Sequence, residues 1–212
     1  MRIAIIPAYN EEATIGRVVS NLSRYVYEVI VVDDCSSDRT KSIADDNGAI
    51  VFSNSRNLGY EKTLNKAISI AICRGASTIL SFDADDQHPY NSVEKMFKII
   101  EAGRADIVVG ARKSLPRLSE KLFSYYTDIK YGIPDILCGM KCYSAATINE
   151  TGVSRNWNSI GSYITIKALK LKLNVMPLSI DIKSRRSGAS RFGISIKSEF
   201  TIFNAFIKSL LI

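Results

Sequence analysis

Several features that would assign the chain to a common protein class are absent from its sequence. The four cysteines include no Cys-x-x-Cys pair, and Cys138 and Cys142 have no second Cys or His pair that would complete a zinc site. No apolar run approaches the roughly 20 residues that a helix needs to cross a bilayer. A charged, turn-like segment is reached by Asn10, which argues against a signal peptide. These absences predict a cytoplasmic protein with reduced thiols and no membrane-spanning helix.

Two Gly-rich phosphate-binding signatures are absent as well. Neither G-x-G-x-x-G nor G-x-x-x-x-G-K-[ST] occurs, which argues against dinucleotide-dependent dehydrogenases and P-loop NTPases. With 212 residues, of which 46% are hydrophobic, the chain can bury one good core but is short for two domains. We therefore predict a single domain over residues 1–212.

Negative charge is scarce in the second half of the chain. Residues 107–212 hold 16 Lys and Arg against 6 Asp and Glu, whereas residues 1–106 hold 12 against 15. Basic surfaces attract nucleic acid, anionic lipid or phosphorylated substrates, and the charge alone does not choose among them. A nucleic-acid interface would interleave basic residues with exposed aromatics on one element. Because the sequence offers acidic strand ends instead, we expect no nucleic-acid partner.

Strand and helix patterns alternate along the first 110 residues. Short apolar runs predict strands over residues 3–7, 29–32, 50–52, 78–82 and 107–109. Between them, apolar residues recur at helical spacing, with Asp38 as a cap, Gly75 as a helix end, and Asn91 with Glu94 as a capping box. Such an order predicts an α/β fold, Rossmann-like, with a mainly parallel sheet and helices on both faces.

The alternation stops after Gly110. A polar, basic stretch runs to about Tyr131, and it is followed by a predicted strand over residues 140–143, a helix over 160–171 and a strand over 175–182. We divide the domain into a nucleotide-binding half (1–110), an acceptor half (111–192) and a C-terminal amphipathic helix (193–212).

Polar signatures follow three of the predicted strands. They read PAYNEE after the first, VVDDCSSDRT at the second and FDADDQHP at the fourth. In an open parallel sheet, ligands bind outside the carboxyl ends of the strands, where the strand order reverses. If the order is 3-2-1-4, the three signatures are neighbours in space and form one site.

The acidic cluster after the fourth strand indicates a metal site. Asp83, Asp85 and Asp86 are close enough in sequence to repel one another and to raise each other's pKa, which a bound cation relieves. Hard oxygen ligands suit Mg²⁺ or Mn²⁺, which can stabilise charge on a departing diphosphate. A solvated acidic loop is the alternative. Asp33 and Asp34 can accept hydrogen bonds from a ribose or a base, although Asp is also an ordinary turn residue.

Together these segments resemble family 2 glycosyltransferases of the GT-A fold, and within them the dolichyl-phosphate mannosyltransferase-like branch. The matching segments are PAYNEE (7–12), VVDDCSSDRT (31–40), NLGYEKTLNKAI (57–68), FDADDQHP (82–89), VVGAR (108–112) and, more faintly, RRSGASR (185–191). They cover nearly the whole chain and are specific in combination and order. The segment DILCGMK (135–141) departs from the branch because it lacks hydroxyl residues before its glycine, which weakens the case for the usual acceptor contacts.

The resemblance implies roles for the matching residues, with Asp85 and Arg112 as the catalytic residues. Arg191 replaces a lysine of the branch and keeps its charge. The residues implied are Pro7, Tyr9, Glu11, Val32 and Asp34 for the nucleoside, Asp83, Asp85 and Gln87 for the cation, Ala84 for the donor, and Arg112, Arg185 and Arg191 for phosphates. A solvated basic face is the alternative for the three arginines. For His88, the single histidine, a structural role and a functional role are equally consistent with the pattern.

The resemblance also implies an inverting, metal-dependent transfer of mannose or glucose from a nucleotide-diphosphate sugar to a polyprenyl or dolichyl phosphate. The basic second half and the lack of an acidic pair beyond Asp135 agree with a phosphate acceptor, because an ionised phosphate oxygen needs no general base. A sugar hydroxyl as acceptor is the alternative. A sugar nucleotidyltransferase is a weaker one, because the first turn lacks the Gly-rich signature of those enzymes.

An apolar stripe near the C-terminus has two interpretations. It consists of Phe200, Phe203, Phe206, Ile207, Leu210 and Leu211, flanked by Lys197 and Lys208. The helix either packs on the domain or lies in a membrane interface. The second interpretation predicts peripheral contact with the cytoplasmic face of a membrane.

Overall fold

The structure is a computed structural model that describes residues 1–152, 159–183 and 196–210. Its centre is one mixed sheet of seven strands. The strands are β1 (Arg2–Ala8), β2 (Glu28–Asp33), β3 (Ile50–Ser53), β4 (Thr78–Ser81), β5 (Ile107–Arg112), β6 (Lys141–Ser144) and β7 (Val175–Ile180). The helices are α1 (Ile15–Leu22), α2 (Thr40–Asp46), α3 (Tyr60–Cys73), α4 (Val93–Glu101), α5 (Leu118–Tyr131), α6 (Ala145–Thr151), α7 (Ile160–Lys170) and α8 (Ile196–Leu210), with a 3₁₀ turn over Tyr90–Ser92.

The strand order is β3-β2-β1-β4-β6-β5-β7, so the predicted order 3-2-1-4 is confirmed. β1 pairs in parallel with both β2 and β4, and β5 pairs in parallel with β7. β6 is antiparallel to both of its neighbours, β4 and β5. The sheet is therefore mainly parallel, and β6 joins the two predicted halves in one layer, which confirms the predicted α/β fold. The functional division into halves remains a prediction.

Both faces of β1 are buried from Ile3 onward, which explains why its sequence is apolar after Arg2. Ala4, Ile6 and Ala8 point to the face covered by α1 and α4. Ile3 and Ile5 point to the opposite face, which α3 and α7 cover. Because successive side chains of a strand alternate between faces, a strand with a helix layer on each side carries apolar residues at successive positions.

Two helices were not predicted, and one predicted cap is wrong. The buried positions of α5 include Ser119, Glu120 and Thr127, so the helical period of this segment is hidden among polar residues. The short α6 carries no strong apolar stripe. At α4, Ser92 is the N-cap and no side chain caps the helix, because the Glu94 carboxylate pairs with Arg2 at 2.8 Å instead. At α2 the N-cap is Arg39, one residue later than predicted, although Asp38 accepts a hydrogen bond from the Thr40 amide at 2.9 Å.

The C-terminal helix α8 packs on the domain with one face and exposes apolar side chains on another. Ala205 and Phe206 pack with Phe123 in a small cluster between α8 and α5. Glu199 accepts a hydrogen bond from the Ser119 amide at 2.9 Å, and this contact lowers the pKa of Glu199. Exposed apolar residues of α8 are Phe200, Phe203, Ile207 and Leu210; Leu211 and the side chain of Lys197 lie outside the described part. Within the described ranges, no helix is both long and apolar enough to cross a membrane.

The docking of α8 predicts different stability effects for two of its aromatic residues. Phe206 lies 5.2 Å from Phe123 between ring centroids, whereas Phe200 is 65% exposed. We expect Phe206→Ala to lower the free energy of unfolding by about 2 kcal/mol, and Phe200→Ala by less than about 0.5 kcal/mol. Urea denaturation of both variants would check this, and equal losses would contradict the observed orientation of α8.

Candidate active site

A pocket of about 980 Å³ opens at the carboxyl ends of the parallel strands. Pro7 and Ala8 end β1, Asp34 follows β2 and Asp83 follows β4, and all four line this pocket. The predicted convergence of the three polar signatures is therefore observed. The wall continues past the end of β5 to α5 and α8, where Arg112, Arg117 and Ile202 line it.

Asp34 organises the pocket wall on the β2 side. Its Oδ1 accepts hydrogen bonds from Asn54 Nδ2 and the Leu58 amide, and its Oδ2 accepts one from the Gly59 amide, each at 2.8 Å. Gly59 has a φ of +86°, which favours glycine, and it is the N-cap residue of α3. The carboxylate thus fixes the loop that leads into α3, a role that the sequence did not reveal.

The other residues predicted to contact a nucleoside divide into two groups. Pro7, Tyr9 and Glu11 line the pocket, and Thr14 Oγ1 donates a hydrogen bond to Glu11 Oε2 at 3.0 Å. Val32 is fully buried in the hydrophobic core and does not belong to the pocket wall. Its predicted donor contact therefore stays a prediction that the position of its side chain does not support.

The Asp83 carboxylate is held by two side chains. Tyr60 Oη donates to Asp83 Oδ1 at 2.9 Å, and His88 Nε2 lies 2.8 Å from Asp83 Oδ2. Because an ionised carboxylate only accepts hydrogen bonds, this nitrogen of His88 carries a proton. Burial alone would raise the pKa of Asp83, but the charge and hydrogen bond of His88, with help from Tyr60 and Lys141, hold that pKa below its usual value. His88 thus makes a structural contact that orients Asp83, a predicted metal ligand, so the structural and functional roles considered for His88 coincide.

Gly139 leaves the space that the Asp83 carboxylate occupies. A Cβ atom at position 139 would lie 2.6 Å from Asp83 Oδ1 and 2.8 Å from its carboxyl carbon. Gly139 lies two residues before β6, the strand inserted beside β4. Residues from the second half of the chain therefore complete the environment of Asp83.

Two of the three clustered aspartates line the pocket, together with Ala84 and Gln87. Asp85 Oδ1 accepts a hydrogen bond from the Gln87 amide at 3.2 Å, and Gln87 Nε2 donates to the Lys183 carbonyl at 3.1 Å. Asp86 is buried elsewhere, with its carboxylate 2.9 Å from Arg17 Nε and 2.6 Å from Tyr90 Oη.

The predicted metal ligands therefore supply two carboxylates and one amide. Among the described residues, no group of three or more His, Cys, Asp or Glu side chains is arranged to hold a metal. Such a set fits a hard cation that takes further oxygen ligands from a bound diphosphate or from water.

The predicted phosphate-binding arginines have different outcomes. Arg112 lines the pocket, but its Nε and Nη2 donate to the buried Asp135 carboxylate at 2.6 and 3.0 Å. Burial disfavours the charged guanidinium, and the pair with Asp135 outweighs it, so the pKa of Arg112 is raised. Arg185 and Arg191 lie outside the described residues.

Two further acidic side chains of the pocket wall were not singled out from the sequence. Glu61 Oε2 accepts a hydrogen bond from the Ile160 amide at 2.6 Å at the start of α7, and burial raises the pKa of Glu61 to about 7. Glu120 lies in the first turn of α5. Glu61 belongs to the segment NLGYEKTLNKAI, which resembles the family, so the sequence could have identified it. Glu120 lies in none of the matching segments, so no motif marked it.

Comparisons with known proteins give matches over much of the chain. Residues 3–126 match the family model described as Glycosyl transferase family 2. An uncharacterised protein of Methanocaldococcus jannaschii is 38% identical over 51% of this chain, which spans 45% of that protein's length. The UDP-N-acetylglucosamine–dolichyl-phosphate N-acetylglucosaminyltransferase of Methanococcus voltae is 27% identical, over 94% of this chain and 92% of that protein.

A solved structure shares the fold. The glucosyl-3-phosphoglycerate synthase of Mycobacterium tuberculosis, crystallised with Mn²⁺, UDP-glucose and phosphoglyceric acid, superposes with a TM-score of 0.78 and 17% identity. The match covers 100% of this chain and 78% of the synthase. At this identity the likeness shows the fold alone, and it confirms the predicted GT-A architecture.

The contact between Gly139 and Asp83 predicts that a single methyl group disrupts the cation site. We expect Gly139→Ala to displace the Asp83 carboxylate and to weaken Mn²⁺ binding roughly tenfold or more, because the orientation of a metal ligand controls affinity. Electron paramagnetic resonance of free Mn²⁺, in the presence of UDP, would measure this. Gly75→Ala is the control for general destabilisation, since Gly75 has a φ of +81°, nothing lies within 4 Å of its added Cβ, and the residue does not line the pocket. Wild-type affinity in Gly139→Ala would contradict the assignment.

Proposed function

The chain belongs to glycosyl transferase family 2, and on that premise we propose that it transfers a sugar from a nucleoside-diphosphate sugar to a lipid phosphate. The transfer uses Mg²⁺ or Mn²⁺ and inverts the anomeric carbon. The observation that carries the proposal is the continuous pocket. It joins the nucleoside side at Tyr9 and Asp34, the carboxylates Asp83 and Asp85, and a wall at α5 and α8 that combines the Arg117–Glu120 pair with apolar side chains.

The donor end of the pocket fits a nucleoside diphosphate. Pro7, Tyr9 and Glu11, with the loop that Asp34 fixes, form a wall for the nucleoside. The Methanococcus voltae relative is named for a UDP-N-acetylglucosamine donor and the mycobacterial structure holds UDP-glucose, so hexoses and their N-acetyl derivatives are the sugars to test beside mannose.

The cation would be held by Asp83, Asp85 and the amide oxygen of Gln87. Its chemistry there is electrostatic: a divalent ion neutralises the negative charge that grows on the departing diphosphate. Tyr60 and His88 keep the Asp83 carboxylate ionised and oriented toward it. Arg112, whose charge is balanced by Asp135, lines the pocket near the same group and would donate hydrogen bonds to it.

The acceptor end of the pocket fits a phosphate attached to an apolar chain. Arg117 and Lys113 line it, and Lys121 lies one turn beyond Arg117 on α5. The apolar lining there comes from Pro116, Leu137, Ile180, Ile182, Ile202 and Ala205. The Methanococcus voltae relative is named for transfer to dolichyl phosphate, which supports a polyprenyl or dolichyl phosphate. Attack from this end, opposite the diphosphate, is a single displacement and therefore inverts the anomeric configuration.

The acceptor end also lies beside an exposed apolar surface, which we call the α5–α8 face. It consists of Leu118, Leu122, Tyr125 and Ile129 of α5 with Phe200, Phe203, Ile207 and Leu210 of α8. Each set follows helical spacing, and α5 and α8 pack against each other. Lys121 and Lys130 of α5 are exposed near it, which suits an anionic membrane surface. A peripheral membrane site would bring a lipid phosphate directly to the pocket.

Metal dependence is tested by the removal of one carboxylate. We expect Asp85→Asn to reduce sugar transfer at least roughly a hundredfold with an intact fold, because the amide no longer offsets the cation's charge. Asp46→Asn, at an exposed carboxylate of α2, is the matched control and should keep wild-type rates. Transfer assays with Mn²⁺, Mg²⁺ and excess chelator decide the question, and full activity of Asp85→Asn or of the chelated enzyme would refute metal dependence.

Membrane contact is tested by single charges on the α5–α8 face. Ile129 is 70% exposed and Tyr27, remote on the loop before β2, is 77% exposed. We expect Ile129→Glu and Phe200→Glu each to weaken binding to anionic liposomes roughly tenfold, whereas Tyr27→Glu should leave it unchanged. Sedimentation with liposomes at low and high salt would measure this. A wild-type protein that ignores liposomes at low salt would rule out the membrane site.

A further inference from the structure

A chain of four alternating charges lines the acceptor end of the pocket. Asp135 holds Arg112 with two hydrogen bonds, Arg112 Nη2 lies 3.8 Å from Glu120 Oε2, and Arg117 Nη1 donates to Glu120 Oε1. Their charges sum to zero. A site that binds a phosphate dianion through positive charge alone would have no carboxylate between its arginines, so the position of Glu120 between Arg112 and Arg117 is unexpected.

Glu120 has an unsatisfied oxygen although it is buried. The residue is 3% exposed, and Oε2 has no hydrogen-bond partner among the described residues, with the Arg112 guanidinium beyond hydrogen-bond distance. Arg117 Nε, on the same pocket wall, also lacks a partner within the described part of the chain. A buried carboxylate oxygen without a hydrogen bond is destabilising. Oε2 and Nε are themselves shielded from solvent, but both residues line the pocket, so a ligand that draws these two atoms toward the pocket would satisfy both of them.

The ligand that satisfies both groups must carry an O–H and a second oxygen with lone pairs. A phosphate monoester has a second pKa of about 6, so near neutral pH part of it is a monoanion with one O–H. The dianion has no proton to give and would be repelled by Glu120. The monoanion can donate to Glu120 Oε2 and accept from Arg117 Nε.

We propose that Glu120 and Arg117 form an acceptor subsite that selects the singly protonated form of a phosphate monoester, with Glu120 receiving its proton during transfer. This rests on the proposed function. An anionic oxygen of the acceptor attacks the anomeric carbon, and the bond from that carbon to the diphosphate breaks, with the electron pair leaving on the diphosphate. The acceptor becomes a phosphodiester, its remaining O–H becomes strongly acidic, and that proton passes to Glu120 Oε2.

The surroundings of Glu120 set the expected pH dependence. Arg117 of α5 and Arg112 of β5 face it, Asp135 neutralises Arg112, Glu199 of α8 bonds the adjacent Ser119 amide, and the Lys113–Asp181 pair is at the pocket wall. A phosphate monoester loses its second proton with a pKa of about 6, so the proton that varies between pH 6 and 8 is the acceptor's own. Acceptor affinity therefore falls as pH rises.

The experiment is the pH profile of kcat/KM for a short-chain isoprenyl phosphate. In the wild type we expect log(kcat/KM) to fall by about one per pH unit above the acceptor's second pKa of about 6. Glu120→Gln keeps an oxygen for Arg117 but offers an N–H in place of the acceptor, so its profile should be flat. Glu120→Asp keeps the charge and should keep the slope at a lower rate, and Asp128→Asn, an exposed charge change on α5, is the control.

A binding measurement separates this role from a purely structural one. An isoprenyl sulfate carries no proton at these pH values, so the wild type should bind it at least roughly tenfold more weakly than the phosphate, and Glu120→Gln should lose that preference. Equal slopes and equal preferences in both proteins would mean that Glu120 Oε2 binds only water, and would overturn the proposal. Transfer to an isoprenyl alcohol, with none to the phosphate, would overturn the phosphate acceptor itself and leave Glu120 as a base for a hydroxyl.

Discussion

The parallel pairing of β1 with β2 and β4 is the constraint on which the site depends. Parallel strands end at the same edge of a sheet, so the residues that follow β1, β2 and β4 are brought together although they are up to about 75 positions apart. The strands themselves are apolar on both faces and rigidly packed. In the first half of the chain, the polar side chains that could bind a ligand are therefore those that follow these strands.

The carboxylates at this edge are held by the backbone and side chains around them. Asp34 takes two backbone amides and one side-chain amide, and Asp83 takes Tyr60 and His88. The partners of Asp34, and Tyr60 at Asp83, come from other parts of the chain than the carboxylate, whereas His88 belongs to the same loop as Asp83. The site is therefore positioned before any ligand arrives, which limits the reorganisation that binding requires.

Much of the first half could be predicted from the sequence, because its strands are short apolar runs and its polar signatures stand at their ends. The contacts of Asp83 could not, since Tyr60 and Gly139 approach it from distant positions and only the register of β4 and β6 brings Gly139 there. α5 was hidden because its inward face carries Ser119, Glu120 and Thr127 while apolar residues face outward. Phe123 is the one apolar residue among the buried positions of this helix, so its apolar periodicity does not mark the inward face.

The position of β6 has a consequence for how the chain folds. β4 pairs on one side with β1 and on the other with β6, whose first residue lies 60 positions after the last residue of β4. During synthesis from the N-terminus, one edge of β4 therefore stays unpaired until Lys141–Ser144 have emerged from the ribosome. Contacts of such long sequence separation also form slowly. Strands β1–β5 cannot complete the sheet without β6, so a ribosome-bound fragment that ends after β5 would expose the edge that β6 later covers.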